Sequence, residues 1–455
     1  MELDRFTHIY LIGIGGIGMS ALARYFLNHR KFVAGYDKTP SALTEELMQE
    51  GAKIHFSDDL NLISPPFLSK ESTLIIYTPA IPATHKEFLF FKENGYHLLK
   101  RSQVLGLLSK DKHCIAIAGT HGKTTVSSMT AHILNNSKVG CNAFLGGITN
   151  NYNSNLIVNE KSPNLVIEAD EFDRSFLQLF PDVAVITSMD ADHLDIYENH
   201  QKLKESFRDF ADQVNPKGNL IVKFGLEKLL NKRDGLFTYS LETENADFHI
   251  SAMKLINGIY QFSIFGPNLK IENVQLKMPG KLNVENALAA AAAAFIAGAS
   301  ETEIKTALAN FSGVKRRMEY IIKRTDFVYL DDYAHHPEEL KASILSVREL
   351  FPTKKISGIF QPHLFSRTRD FIKEFAQSLA LLDSLILLDI YPAREEPISG
   401  VTSALLLENI SLEDKILLQK EELIPYLKKQ PLEVLITLGA GDIDRMVDPI
   451  KRAFE

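Results

Sequence analysis

The run Gly119-Thr120-His121-Gly122-Lys123-Thr124-Thr125 carries the strongest chemical signal in the chain. It stands between a short apolar segment, Cys114–Ala118, and a helix-forming segment from Lys123 to Leu134. In such a loop, backbone N–H groups wrap the β- and γ-phosphates of a nucleotide, Lys123 neutralises them, and the Thr124 hydroxyl is placed to ligate Mg²⁺. Ile117 stands where the common phosphate loop has its first glycine, so this loop is shorter, with the same physics. Phosphoryl transfer also needs oxygen ligands for the metal. The apolar run Leu165–Ala169 leads into Glu168, Asp170, Glu171 and Asp173, and Val183–Ser188 leads into Asp190, Asp192, His193 and Asp195. The C-terminal ends of strands in a parallel sheet face the ligand crevice, so both acidic runs are expected beside Lys123. Glu168, nearest its strand, is the first choice for a metal ligand, and His193 is the second.

A second phosphate-type turn stands near the start, Gly13-Ile14-Gly15-Gly16-Ile17-Gly18, again between a strand and a helix. Gly13 and Gly15 suit a tight turn and close approach to a diphosphate, and Gly18 suits helix-to-strand packing. Asp37, 19 residues after the last glycine, occupies the place of a ribose-binding carboxylate. The pattern specifies a nucleotide diphosphate and does not specify nicotinamide.

Later candidates are more diffuse. Asn283 and Asn286 open an Ala-rich helix on one face; an amide suits a purine edge, and a helix cap is the alternative for Asn283. Arg316 and Arg317 follow a Ser-Gly turn, placed to reach phosphates across a cleft. Asp331, Asp332, His335 and His336 end one expected strand, and Gln361, His363, Arg367 and Arg369 follow another. Adjacent histidines in extended chain point to opposite sides, so one functional and one structural histidine are expected at 335–336.

These motifs require strands and helices in alternation. Strands are expected at His8–Ile14, Phe32–Tyr36 and Leu74–Tyr77, with helices Met19–His29 and Ser41–Gly51 between them. A second module begins at His113 and carries the phosphate loop. From Gly218 to Pro279 it shifts to short alternating runs, read as an antiparallel insertion, and then to the helices Val284–Ala297 and Ser300–Ala309. A third module has strands Phe327–Leu330, Ile356–Phe360, Ser384–Leu388 and Val434–Leu438, with helices Glu338–Leu350 and Arg369–Leu381. The expectation is an α/β chain of three domains. They are a Rossmann-like domain over 1–110, a phosphate-loop ATPase domain with an antiparallel insertion over 111–316, and a Rossmann-like domain over 317–455.

Composition agrees with this. The chain has 455 residues, 50 Lys+Arg, 57 Asp+Glu and a formal net charge of −7. A hydrophobic fraction of 45% excludes bulk disorder, and the acidic balance argues against a nucleic-acid partner. Cys114 and Cys141 cannot build a disulfide framework and read as buried thiols in a reducing compartment. The N-terminus reads as neither signal peptide nor anchor, so a cytoplasmic location without membrane insertion is expected.

The segments HIYLIGIGGIGMSALA, AIAGTHGKTT, EADEFDRSF, DADHLDIY, LDDYAHHPEE, FQPHLFSRTRD and LGAGDI resemble the ATP-dependent Mur ligases of peptidoglycan synthesis over nearly the whole chain. FQPHLFSRTRD favours the alanine-adding member over the peptide-recycling one, which shares the other motifs. The resemblance implies domains for the UDP-substrate, for ATP and for the amino acid, in that order. It implies that Lys123 holds phosphates, that Thr124 and Glu168 ligate Mg²⁺, and that His193 serves a second Mg²⁺. Asn286 would meet adenine, Arg317 the phosphates and Asp332 the ribose, while His336, His363 and Arg367 would line the amino-acid side. UDP-N-acetylmuramate, L-alanine and ATP would be the substrates of a monomer or homodimer. Leu364 departs from the family, which commonly has arginine there. Arg208 lies where several sister ligases carry a modified lysine, so none is expected. A nucleotide-sensing regulatory protein is the reading from another class.

Overall fold

A computed structural model describes residues 3–190, 197, 199–393 and 395–455. They build three sheets.

The first sheet comprises β1 (His8–Ile12), β2 (Phe32–Tyr36), β3 (Lys53–His55), β4 (Thr73–Tyr77) and β5 (His97–Lys100) in the order β3-β2-β1-β4-β5, all parallel. The central strands are continuous apolar runs, as strands covered on both faces must be. Helix α1 (Ile17–Asn28) follows β1, and α2 (Ala42–Gln49) follows β2. Ser41 caps α2 reciprocally: its hydroxyl accepts from Thr44 N at 3.3 Å, and the Thr44 hydroxyl accepts from Ser41 N at 2.9 Å. Helices α3 (Lys86–Glu93) and α4 (Arg101–Lys110) complete the module.

The second sheet has ten strands in the order β15-β14-β13-β12-β11-β10-β6-β9-β7-β8. Its centre is β6 (His113–Ala118), flanked by β9 (Asn164–Glu168) and β10 (Val183–Ile186), both parallel to it. Helix α5 (Lys123–Asn135) leaves the C-terminal end of β6, and β7 (Asn142–Thr149) and β8 (Ser154–Ile157) form the far edge. The antiparallel region is smaller than the sequence suggests. Strands β11 (Asn219–Lys223), β12 (Leu236–Ser240) and β13 (Phe248–Ile256) all continue the parallel order. Leu220-Ile221-Val222 is buried on both faces, which is the pattern of a sheet interior. Antiparallel pairing starts where β13, β14 (Ile259–Gly266) and β15 (Leu269–Leu276) follow one another through two-residue turns. Asn257 and Gly258, both at positive φ, make the first of these turns. The Ala-rich helix spans Lys281–Ile296, with Ala289–Ala294 fully buried. It starts before Asn283, which is therefore inside the helix and is no cap; its amide donates to Pro279 O at 2.7 Å. A helix over Glu301–Asn310 follows, capped by Ser300.

The third sheet runs β16-β17-β21-β18-β19-β20. Strands β17 (Val328–Asp332), β18 (Ile356–Phe360), β19 (Ser384–Leu387), β20 (Lys415–Leu417) and β21 (Val434–Leu438) are parallel. The edge strand β16 (Glu319–Lys323) is antiparallel to β17 and carries no sequence signal of its own. The single helix expected at Arg369–Leu381 is two, Phe365–Asp370 and Ile372–Leu379, broken at Phe371 where the backbone leaves helical angles.

By packing the chain divides into two units: Met1–Lys254 with Gln261–Leu276 and Glu285–Phe311, and Ser312–Glu455 with Leu255–Tyr260 and Lys277–Val284. In the first, one apolar core runs through both sheets. Ile9, Leu22 and Phe26 belong to the same cluster as Phe144, Leu156 and Leu165. Buried Arg24 of α1 adds a polar tie, donating to Asn155 at 2.7 Å, Glu46 at 2.7 Å and Glu50 at 2.9 Å. Asn155 returns a bond to Ile17 O at 2.6 Å. Among the described residues, no helix is long and apolar enough to cross a membrane.

Candidate active site

The loop after β6 is shaped by its glycines. Gly119 has φ +135°, and a β-carbon there would lie 2.0 Å from the Thr187 hydroxyl. Gly122 has φ +81°, and a β-carbon would lie 2.8 Å from Asn286 Oδ1, so Asn286 stands against the loop itself. The end of β10 braces the loop from the other side. The Ser188 hydroxyl accepts from His121 N at 2.8 Å and bonds the Thr120 hydroxyl at 2.9 Å. Thr187 donates to the carbonyls of Ala118, at 3.2 Å, and His121. Thr125 follows on the buried first turn of α5.

Lys123 and Thr124 open α5 and meet the acids after β9. The Thr124 hydroxyl donates to Glu168 Oε1 at 3.0 Å, and Gly146 N donates to Glu168 Oε2 at 2.9 Å. A β-carbon on Gly146 would sit 2.3 Å from that carboxylate, so the bare backbone makes its cradle. The Lys123 ammonium donates to Gly119 O at 2.6 Å and lies 2.9 Å from both oxygens of buried Glu171. Burial works against its charge, but Glu171, Asp170 and Glu168 outweigh burial and the lysine is held above its usual range. Asp170 and Asp173, from the same acidic run, are paired with Arg101 at 3.2 Å and Lys100 at 2.9 Å. Glu168 and Thr124, both singled out in the sequence, are thus in hydrogen-bond contact. The sequence does not show which acid meets the lysine, because that choice is made by a long-range approach. His193, with Asp192 and Asp195, lies outside the described residues. Among those described, no cluster of three His, Cys, Asp or Glu side chains is arranged as a metal site.

At the first glycine turn, Gly13 has φ +87°, and the N–H groups of Gly13 and Ile14 bond Tyr36 O at 2.8 and 3.0 Å. Asp37 reaches this turn. One carboxylate oxygen accepts from Gly15 N at 2.7 Å and the other from Thr39 N at 3.2 Å. A β-carbon on Gly15 would meet that carboxylate at 2.8 Å, while Gly16 has room. Gly18 has a different reason from helix-to-strand packing. A β-carbon there would lie 2.3 Å from Arg101 Nη1, so the missing side chain admits the arginine. Arg101 was not singled out by the sequence, since nothing local marks it.

Family models match three consecutive segments: the Mur ligase family catalytic domain over residues 8–113, the Mur ligase middle domain over 117–294, and the Mur ligase glutamate ligase domain over 316–441. The chain belongs to the Mur ligase family. The UDP-N-acetylmuramate–L-alanine ligase of Phocaeicola vulgatus is 51% identical over 99% of this chain and 98% of its own. Its counterpart from Flavobacterium psychrophilum is 50% identical over 100% of both. Among solved structures, the UDP-N-acetylmuramate-alanine ligase of Thermotoga maritima superposes with TM-score 0.83 over 98% of this chain and 99% of that one, at 24% identity. A murein peptide ligase from Psychrobacter arcticus gives TM-score 0.71 at 22% identity over 98% of both. At those identities the likeness is one of fold.

The family's third segment gathers the remaining candidates within the second unit. Asp332 is buried, accepts from the Ser343 hydroxyl at 2.5 Å, and is pushed up to about 6 by burial, against the pull of Ser343 and Arg317. Arg317 and Arg316 stack on the Tyr333 ring, at 5.2 and 5.1 Å. Arg316 is committed further, to Asp331 at 3.2 Å and Gly439 O at 2.5 Å. His335 packs edge-on to His363 at 6.0 Å and pairs with Glu339 at 3.2 Å. Burial pulls its pKa down to about 4, with Arg367 adding to the effect and Glu339 opposing it. His336 caps the helix Pro337–Leu350 and stands edge-on to Phe371 at 5.0 Å. His363 stacks on Tyr391 at 5.7 Å. His335 thus lies against His363 and feels the Arg367 charge.

Proposed function

We propose that this chain ligates L-alanine to UDP-N-acetylmuramate at the expense of ATP. The observation that carries the reading is half-identity over essentially the full length of relatives bearing that activity in their names. The loop geometry supports it. Phosphate-wrapping amides, a charged lysine and a threonine–carboxylate pair converge where α5 begins.

The substrate carboxylate attacks the γ-phosphoryl group of ATP, giving an acyl phosphate and ADP. The alanine amine then attacks the acyl carbon, and phosphate leaves. Two anions must meet in the first step, so Lys123 and the amides of Gly119–Thr125 take up charge in the transition state. Thr124 and Glu168 are hard oxygen donors, which suits Mg²⁺, and they would hold it with waters and phosphates completing the shell. Bound there, Mg²⁺ supplies further screening of the phosphates. His193 would serve a second ion. Asn286 would position adenine, Arg317 the phosphates and Asp332 the ribose. Gly13, Gly15, Gly16, Gly18 and Asp37 would hold the UDP moiety. His336, His363 and Arg367 would face the amino acid, with His363 the candidate to take the amine's proton. The corresponding domains are 1–110, 111–316 and 317–455, in a cytoplasmic enzyme.

The test is ADP release on UDP-N-acetylmuramate with L-alanine, glycine, L-serine and the murein tripeptide, with product mass measured. L-Alanine is expected to give the highest kcat/KM, and one methyl separates it from glycine by about 1–3 kcal/mol. A preference for the tripeptide would move the chain to the peptide-recycling ligases. Nucleotide binding without any UDP-sugar-dependent product would revive a regulatory role. Lys123→Ala is expected to fold and release no ADP; alanine-dependent release in that variant would end this assignment.

A further inference from the structure

Glu171 has no exposed surface, yet it belongs to a loop at the mouth of the phosphate site. Both of its carboxylate oxygens lie 2.9 Å from the Lys123 ammonium. The same ammonium donates to Gly119 O at 2.6 Å and Thr120 O at 3.4 Å. An ammonium has three protons, and these acceptors turn the amine back onto its own loop. To reach a γ-phosphate, Lys123 must loosen at least one of these bonds.

The main chain of Glu171 is held in place. Its carbonyl accepts from the buried Tyr197 hydroxyl at 2.6 Å and from Arg174 N at 2.9 Å. The chain turns directly afterwards through Asp173 and Arg174, both at φ 53° in the left-handed region. The neighbouring acids are pinned from α4 and the end of β5, Asp170 by Arg101 and Asp173 by Lys100. The main chain that carries the carboxylate is thus anchored, and the longer, more flexible partner is the lysine.

We propose that Glu171 is a positioning residue for phosphoryl transfer: it holds Lys123 against the loop carbonyls as a fixed counter-ion and yields part of the ammonium to the γ-phosphoryl group as charge builds there. This rests on the reading that Lys123 meets the phosphates of ATP. Glu168 has a different task, since its carboxylate is directed to Thr124 and Gly146. A fixed negative charge beside the phosphate site also opposes nucleotide binding at rest. A carboxylate that only balanced a buried lysine would have no such signature, and its loss would loosen the loop and weaken binding.

Glu171→Gln and Glu171→Asp separate the two roles. Binding is read by calorimetric titration with ADP, without turnover, and catalysis by alanine-dependent ADP release. Glu171→Gln keeps the volume and removes the charge. It is expected to bind ADP about threefold more tightly, while kcat falls about tenfold or more. Glu171→Asp keeps the charge and withdraws it by one methylene. Its ADP affinity is expected to stay within about twofold of the wild type, with a similar fall in kcat. A kcat close to wild type in Glu171→Asp overturns the proposal. Weaker ADP binding in parallel with kcat in a folded Glu171→Gln also overturns it. Should Glu171→Gln melt below the assay temperature, Glu171→Asp decides alone. A wild type that binds ADP but releases none on adding UDP-N-acetylmuramate and L-alanine would defeat the functional reading, and the ADP titrations would still test the Lys123–Glu171 pair.

Discussion

Glu87 carries a fully buried carboxyl group in the first sheet's module. The Tyr10 hydroxyl donates to it at 2.6 Å, His55 lies 3.4 Å away, and Asp58 accepts from its backbone N–H at 3.1 Å. Asp58 also faces His85 at 3.4 Å. Burial pushes Glu87 up to about 7, against the pull of the Tyr10 hydrogen bond. The folded state therefore binds this proton more tightly than the unfolded chain, whose carboxyl titrates near about 4.3. The contribution to stability is complete below that value and is lost as pH rises through about 7. His55 and His85, pulled down by burial, act in the opposite sense over an overlapping range. The wild-type-minus-variant difference isolates the carboxyl. Between about pH 5 and pH 8, Glu87→Gln is expected to remove a fall of roughly 3 kcal/mol. Urea denaturation of both chains at the two pH values measures it, and equal pH slopes would refute the ionisation argument. Leu364 gives a second prediction. Its backbone sits at φ 73°, ψ 135°, a region kept almost entirely by glycine. Leu364→Gly is expected to stabilise the chain by about 1 kcal/mol, read as a rise in Tm. A fall would mean that the half-buried side chain contributes more than the backbone strain costs. Lys123, Thr124 and Glu168 were legible in the sequence because each is fixed by a strand end or a helix start. Glu171 was visible only as one of four acids. Its selection depends on the turn at Asp173 and Arg174, left-handed without a glycine to mark it.

Helix α1 does two things that its sequence shows unequally. Its apolar face, with Leu22 and Phe26, is plain from spacing, as is the glycine turn before it. Its tie to β8 is not, because Arg24 reads as an ordinary surface charge on a helix. In the structure Arg24 is 5% exposed and meets Asn155, itself fully buried. Asn155 accepts from Arg24 and donates to Ile17 O and the Ser20 hydroxyl, at 2.6 and 3.0 Å. Removing this amide leaves a buried guanidinium edge and a helix carbonyl without their partner. Asn155→Ala is therefore expected to cost about 2–3 kcal/mol, well above a typical surface substitution. A cost below about 0.5 kcal/mol in urea denaturation would show that Arg24 re-pairs within α1 and α2. The same limit governs the strands. β6, β9, β18 and β21 were legible as apolar runs. The direction of β11 and β12 was not, because short strands between turn residues look alike whether they close a hairpin or extend a parallel sheet.

At the scale of the molecule, three family segments need not be three folding units. The family's first two segments share one apolar core, from Ile9 and Leu22 through Phe144 to Phe207 and Leu220. The third has its own clusters, one around Leu330, Phe360 and Phe375 and another around Tyr329, Ile386 and Leu435. Cooperativity follows contiguous packing, so an element that shares a core unfolds with it. Calorimetry of the full chain is therefore expected to show two transitions rather than three. The division falls at Phe311–Ser312, and no separate transition is expected near residue 115. Unfolding enthalpy scales with the residues involved at roughly 0.7 kcal/mol per residue near 60 °C, so the larger transition should carry about twice the enthalpy of the smaller. The variants above assign the peaks. Asn155→Ala, within the shared core, should lower only the larger transition, and Leu364→Gly should raise only the smaller. A third transition that moves with Asn155→Ala alone would mean that the first sheet folds by itself and that Arg24 and its apolar neighbours merely dock it.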